Sequence, residues 1–189
     1  MARAKQKSRG KAKARASKSK DAIALLKADH RQVEGWFEQF EKSRSDERKL
    51  DLATRICDAL TVHTTIEEEI FYPAFIEATG DKELHHEAEI EHDAAKKLIA
   101  EIEASGPEDD YYDAKVKVLS EMIKHHVKEE EQPGGMFAEA RKSDMDLVML
   151  GEEMAARKGE LQAQGPRERP AKRTAANAIL SRIASVASR

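Results

Sequence analysis

Two stretches of this chain repeat one pattern: a histidine on the apolar face of a helix, followed in the next helix by a histidine and a glutamate four residues apart. Asp29-His30 and Glu91-His92 are both followed by apolar side chains at +3, +6, +7 and +10, as Val33, Trp36, Phe37 and Phe40 and as Ala95, Leu98, Ile99 and Ile102. His63 and His126 are preceded at −3 and −7 by Leu60 and Ile56 or by Ile123 and Leu119, and followed at +4 by Glu67 or Glu130. The offset between the halves is 62 residues for the first histidine and 63 for the second pair, as in two αα-hairpins built alike. Residues four apart lie one turn apart on a helix, so each His-x3-Glu presents an imidazole and a carboxylate to one point on an apolar face. Burying them there costs roughly several kcal/mol unless they are paired or hold a metal. A lone core histidine is more often hydrogen-bonded than ligating, and an isolated Glu67–Glu69 run is more often solvated. The matched repetition instead points to a metal site of His30, His63, Glu67, His92, His126 and Glu130. Four imidazoles and two carboxylates suit Fe, Zn or Mn, with the glutamates able to bridge two ions on facing helices of a bundle.

The remaining punctuation agrees with an all-α chain. Five prolines, nine glycines and 5% aromatic residues in 189 leave long stretches uninterrupted. One helix is expected from Asp21 to near Ser43, and a second from a cap at Ser45 or Asp46 to Tyr72-Pro73, with Pro73 kinking its last turns. Gly80 stops it and Asp81 caps a third, which Ser105-Gly106-Pro107 breaks; a fourth carries Val116 to Glu130 and ends at Gln132-Pro133-Gly134-Gly135. A further helix is expected over about 136–162, and a marginal one over 175–186. The organisation predicted is a basic disordered arm at 1–20, an up-down-up-down four-helix bundle at 21–140, an additional helix at 141–164 and a basic tail at 165–189. His85, His86 and His125 fall outside the repeat and read as rim residues, and Cys57, Trp36, Phe37, Phe40, Phe71 and Tyr72 read as core.

Charge is segregated. Of 33 Lys/Arg, nine lie in residues 1–20 without an acid and six in 166–189 beside Glu168 alone, leaving 18 bases against 35 acids in 21–165, a net of about −17. The arms could contact nucleic acid weakly and nonspecifically, or serve only as solubilising tails; they carry no aromatic side chain on which bases would stack. A single cysteine makes a reduced cytoplasm the expected setting, no run of ~18 apolar residues predicts a membrane span, and the basic N-terminus lacks the apolar stretch of a secretory signal.

The segments Asp29-His30, His63-Thr-Thr-Ile-Glu67-Glu-Glu-Ile-Phe-Tyr-Pro73, Glu91-His92 and His125-His126-Val-Lys-Glu-Glu130-Glu resemble the hemerythrin-like, or HHE cation-binding, family over about residues 21–140. The resemblance implies a four-helix bundle around two iron ions with an oxo or hydroxo bridge. His30 and His63 would serve one ion, His92 and His126 the other, and Glu67 and Glu130 would bridge. Oxygen-carrying members pair two histidines four positions apart on the third helix, whereas Ala88 stands four before His92 here. One fewer imidazole leaves more room for water, oxygen or peroxide and shifts the expectation toward redox or peroxide chemistry. The second half also lacks the aromatic-Pro sequel.

Three functions follow in order. The first is non-enzymatic binding or sensing of oxygen or a related small oxidant, or iron handling. The second is a di-iron peroxidase or oxidase; its ferritin-like form needs Glu-x2-His on two helices, but Glu83/His86 and Glu89/His92 both lie on the third. The third is a metal-free helical interaction protein whose basic arm contacts DNA.

Overall fold

A computed structural model describes residues 21–164, all of whose regular elements are helical. The arm at 1–20, the tail at 165–189 and the weak helix expected over 175–186 lie outside the described residues. The elements are α1 (Ala22–Lys42), α2 (Asp46–Ile66), a π-helical turn (Glu67–Phe71), α3 (Tyr72–Thr79), α4 (Lys82–Glu103), α5 (Tyr112–Glu131), α6 (Met136–Lys142) and α7 (Leu147–Ala163).

Local chemistry places most boundaries. Asp21, Ser45, Asp81 and Asp146 each accept from a backbone N–H in the first turn of α1, α2, α4 and α7. Gly80 closes α3 in the left-handed region at φ 69°. Four long helices form a ring in which α1 packs on α2, α2 on α4, α4 on α5 and α5 on α1. The connections at 43–45 and 104–111 are short, so sequential neighbours are antiparallel.

Two expectations change. The second helix, expected to be disturbed at Pro73, changes pitch just before it: the backbone passes through the π turn at 67–71, and Pro73 follows in the first turn of α3. The helix expected over about 136–162 is two helices, α6 and α7, separated by Ser143–Asp146, where Asp146 caps a fresh start. The turn before α6 is tight: a Cβ on Gly135 would strike the carbonyl oxygen of Glu129 and come within 3.0 Å of that of Glu130.

The core has two apolar clusters. Val33, Phe37, Leu52, Ile56, Leu60, Ile99, Val116 and Leu119 fill one end; Ile23, Leu26, Ile66, Phe71, Phe75, Phe137 and Met154 fill the other. Helices α6 and α7 close this second end, α6 against α5 and α3 and α7 against α1, α2 and the π turn. Between the clusters lies a layer of buried polar side chains: Asp29, His30, His63, Thr64, Glu67, His92, His126 and Glu130.

Candidate metal centre

All six residues singled out from the repeat meet in that layer. His30 Nε2 lies 3.1 Å from His63 Nε2 and 3.4 Å from Glu130 Oε2, and His63 Nε2 lies 3.2 Å from Glu67 Oε2. His92 Nε2 lies 3.3 Å from His126 Nε2 and 3.4 Å from Glu67 Oε2, and His126 Nε2 lies 3.6 Å from Glu130 Oε2. Two clusters result, one holding His30 and His63 and the other His92 and His126, with Glu67 and Glu130 each facing both.

The outward nitrogens explain the orientation. His30 Nδ1 lies 2.8 Å from Glu131, His92 Nδ1 2.9 Å from Glu68 and His126 Nδ1 2.8 Å from Glu91, while His63 Nδ1 faces Asp29 at 3.6 Å. Each carboxylate comes from a neighbouring helix, so the supports run round the bundle: α5 to α1, α1 to α2, the π turn after α2 to α4, and α4 to α5. A carboxylate only accepts, so in the first three pairs Nδ1 carries the proton and donates it outward. Nε2 is then left as a bare lone pair facing inward.

The facing lone pairs of His92 and His126, 3.3 Å apart, repel unless a cation lies between them. The carboxylates give the same indication. Both oxygens of Glu67 and Oε2 of Glu130 are buried without a hydrogen-bond partner, an arrangement a protein interior does not ordinarily tolerate. Burial pushes Glu67 up to about 7 from 4.5, and burial together with the charge of Glu67 holds Glu130 well above the carboxylate range. Burial, then the neighbouring His63, depresses His30 well below its ordinary value. These departures all favour neutral forms in the protein alone; one or two divalent ions would draw both carboxylates back to the charged form and would be met by an imidazole that is already neutral. The donor set therefore fits a pair of cations.

Tyr72 joins this group, although its sequence position reads as core. Its hydroxyl is 3.1 Å from His92 Nε2 and 3.5 Å from Glu130 Oε1. Burial, reinforced by Glu67 and Glu130, raises its pKa well above the phenolic value, so it keeps its proton. In an α-helix a residue five after Glu67 points ~140° away from it. The π turn, closed by the Tyr72 N–H to the Glu67 carbonyl, brings Tyr72 back over Glu67. The Phe71-Tyr72-Pro73 motif was the available signal, but not the change of pitch. Ala88, where the resemblance would have a further imidazole, is buried in the adjoining apolar cluster with Tyr72.

His86 and His125 are exposed and His85 is half-buried, as rim positions require. His125 meets Glu91 at 3.3 Å, and the edge of the His85 ring meets Tyr72 with centroids 5.7 Å apart. Beside the four imidazoles lies a cavity of about 10 Å³ walled by Val33, Leu60, Ile123 and Val127. It has room for roughly one water-sized molecule. His30, Ile123 and Val127 also line a groove of about 340 Å³ between α1 and α5, which places the cavity one side chain from solvent.

Comparison with known proteins agrees with this architecture. The family model described as the hemerythrin HHE cation-binding domain matches residues 21–133. The solved structure of a hemerythrin HHE cation-binding domain-containing protein from Mycobacterium kansasii is similar at a TM-score of 0.64 and 25% identity, covering 77% of this chain and 89% of that one. A protein from Nostoc sp. named DNA nickase is 26% identical over 117 residues, which are 62% of this chain. The match spans 32% of that relative's length.

Proposed function

The chain belongs to the hemerythrin HHE cation-binding domain family, and from that premise we propose that its buried layer holds two iron ions and binds oxygen or a related small oxidant, for sensing, scavenging or iron handling. The observation that carries this reading is the three buried carboxylate oxygens without a hydrogen-bond partner, both of Glu67 and Oε2 of Glu130, set among four inward Nε2 atoms. His30 and His63 would hold one ion, His92 and His126 the other, and the two glutamates would bridge. Bound iron supplies one-electron chemistry and open coordination positions.

The chain's own residues do the rest. Glu131, Glu68 and Glu91 hold three imidazoles in the tautomer that offers Nε2 inward. Val33, Leu60, Ile123 and Val127 keep the adjoining space dry and, at about 10 Å³, limit it to very small ligands. Tyr72 keeps a proton at the His92 and Glu130 side, where a bound oxidant would need one. That hydroxyl, with Ala88 at the position of the absent imidazole, supports a second reading as a peroxide-consuming di-iron enzyme. The proposed setting is the cytoplasm; no described helix is long and apolar enough to cross a membrane.

The deciding experiment is iron content per chain in freshly purified protein, beside its optical spectrum before and after reduction and return to air. Two irons and an oxygen-dependent band, both lost in His63→Ala/His126→Ala, support the proposal. Absence of stoichiometric metal after reconstitution under reducing conditions overturns it. Peroxide turnover by the loaded protein separates the two readings. The nine basic residues of the first 20, together with the name of the Nostoc relative, support weak nonspecific nucleic-acid contact by the arms. Such binding must weaken steeply between ~50 and ~200 mM salt and fall when residues 1–20 are removed.

A further inference from the structure

Each carboxylate behind an imidazole is itself met by a cationic or ionisable side chain. Glu131 receives Arg31 at 2.6 Å and Lys27 at 3.2 Å, Glu68 receives Lys96 at 2.6 Å, and Glu91 meets His125 at 3.3 Å. All of these partners lie within the 21–133 stretch that matches the family. Asp29, behind His63, is the exception. In the repeat, the counterpart of His125 is Val62, which has no charge to offer. The place is taken from outside that stretch by Lys158 of α7, whose ammonium contacts Asp29 Oδ1 while Oδ2 faces His63 Nδ1. Its neighbour Arg157 grips both oxygens of Glu69, at 2.7 and 3.1 Å, on the π turn that carries Glu67.

Helix α7 is held in place independently of these charges. Met154, one turn before Lys158, is fully buried, and Leu150 one turn earlier is nearly so. These apolar contacts dock the helix, and the docked helix presents Lys158 to the bundle. Asp29 is also the carboxylate that stands farthest from its imidazole, at 3.6 Å against 2.8–2.9 Å for the other three.

We infer that α7 is a working part of the metal centre, with Lys158 a positioning residue that sets His63 through Asp29. Lys158 holds one oxygen of Asp29 and neutralises part of its charge. It thereby fixes where the carboxylate stands behind His63. Without it, Asp29 is free to turn and the His30/His63 ion loses a defined support. This inference rests on the two-ion reading above.

The test uses the full chain loaded with iron and challenged with excess chelator, together with the midpoint potential and the optical band. Lys158→Met should release metal about tenfold faster, the lower end of what loss of such an outer partner does, and should shift the potential. Lys158→Arg should restore both. Asp29→Asn should reproduce the effect, and Asp29→Asn/Lys158→Met should be no worse than Asp29→Asn alone, because both act on one link. Lys142→Met, which removes an exposed lysine paired with Glu139 on α6, should change nothing. Release and potential in Lys158→Met equal to wild type, or effects of Asp29→Asn and Lys158→Met that simply add, overturn the inference while leaving the two-ion reading intact. A wild-type chain that loads no stoichiometric iron removes the reading itself, and this inference falls with it.

Discussion

Removing metal should leave a protein whose stability falls as pH rises, and Glu67 and Glu130 should be the reason. In the folded, metal-free chain burial holds Glu67 protonated up to about 7, whereas in the unfolded chain it ionises near 4.5. Between those values the unfolded state binds fewer protons than the folded one, so stability declines with pH. At ~1.4 kcal/mol for each pH unit, Glu67 alone accounts for about 3 kcal/mol, a large part of the ~5–15 kcal/mol typical of a domain. Glu130 is displaced in the same direction and adds to it. His30 acts oppositely: its depressed pKa removes stability as pH falls below its ordinary value. The comparison that isolates the carboxylates is therefore wild type against Glu67→Gln/Glu130→Gln, both in chelator, since His30 is common to the two. Urea unfolding followed by circular dichroism at several pH values should show the variant's advantage widening by about 3 kcal/mol or more from pH 4.5 to 7. With metal restored the sign reverses, because ligation needs both carboxylates ionised. An advantage that stays constant across this range would refute the reasoning, since it would mean that the carboxylates ionise in the fold without cost.

Three further outcomes are expected. Tyr72→Phe removes the hydroxyl beside His92 and Glu130 but none of the six proposed ligands, so metal content should be unchanged while the optical band shifts and any peroxide turnover falls. Met154→Ala empties a fully buried position under α7 and should cost ~2–5 kcal/mol in chemical denaturation. Gly135→Ala would drive a methyl group into the Glu129 carbonyl at the end of α5, so thermal melts should show lower stability and metal titrations weaker binding through displacement of Glu130.

The six residues that meet in the buried layer were legible because their physics is local. A 3.6-residue period with histidine and glutamate at apolar positions is a contradiction that only pairing or a metal resolves, and its repetition at 62 and 63 residues places the two halves face to face. Asp21, Ser45 and Asp81 mark helix starts for a similarly local reason, since each side chain bonds a backbone N–H two or three positions on. Tyr72 was not legible, because its direction depends on one turn widening from α to π, a change of pitch that a hydrophobic pattern averages away. The division of 136–162 into α6 and α7 was missed because both halves are apolar enough to pass for one helix.

The sequence by itself determined which residues lie inward and how the two hairpins match, because a side chain's polarity and its position along a helix are properties of the chain alone. Tertiary structure decided which carboxylate stands behind which imidazole, since Glu131 and His30 are 101 positions apart and only the ring of helices brings them together. It likewise decided that Lys158, 129 positions from Asp29, completes the set. Nothing in the spacing of charges along the chain encodes that meeting; it follows from where the apolar contacts of Leu150 and Met154 dock α7 against the bundle.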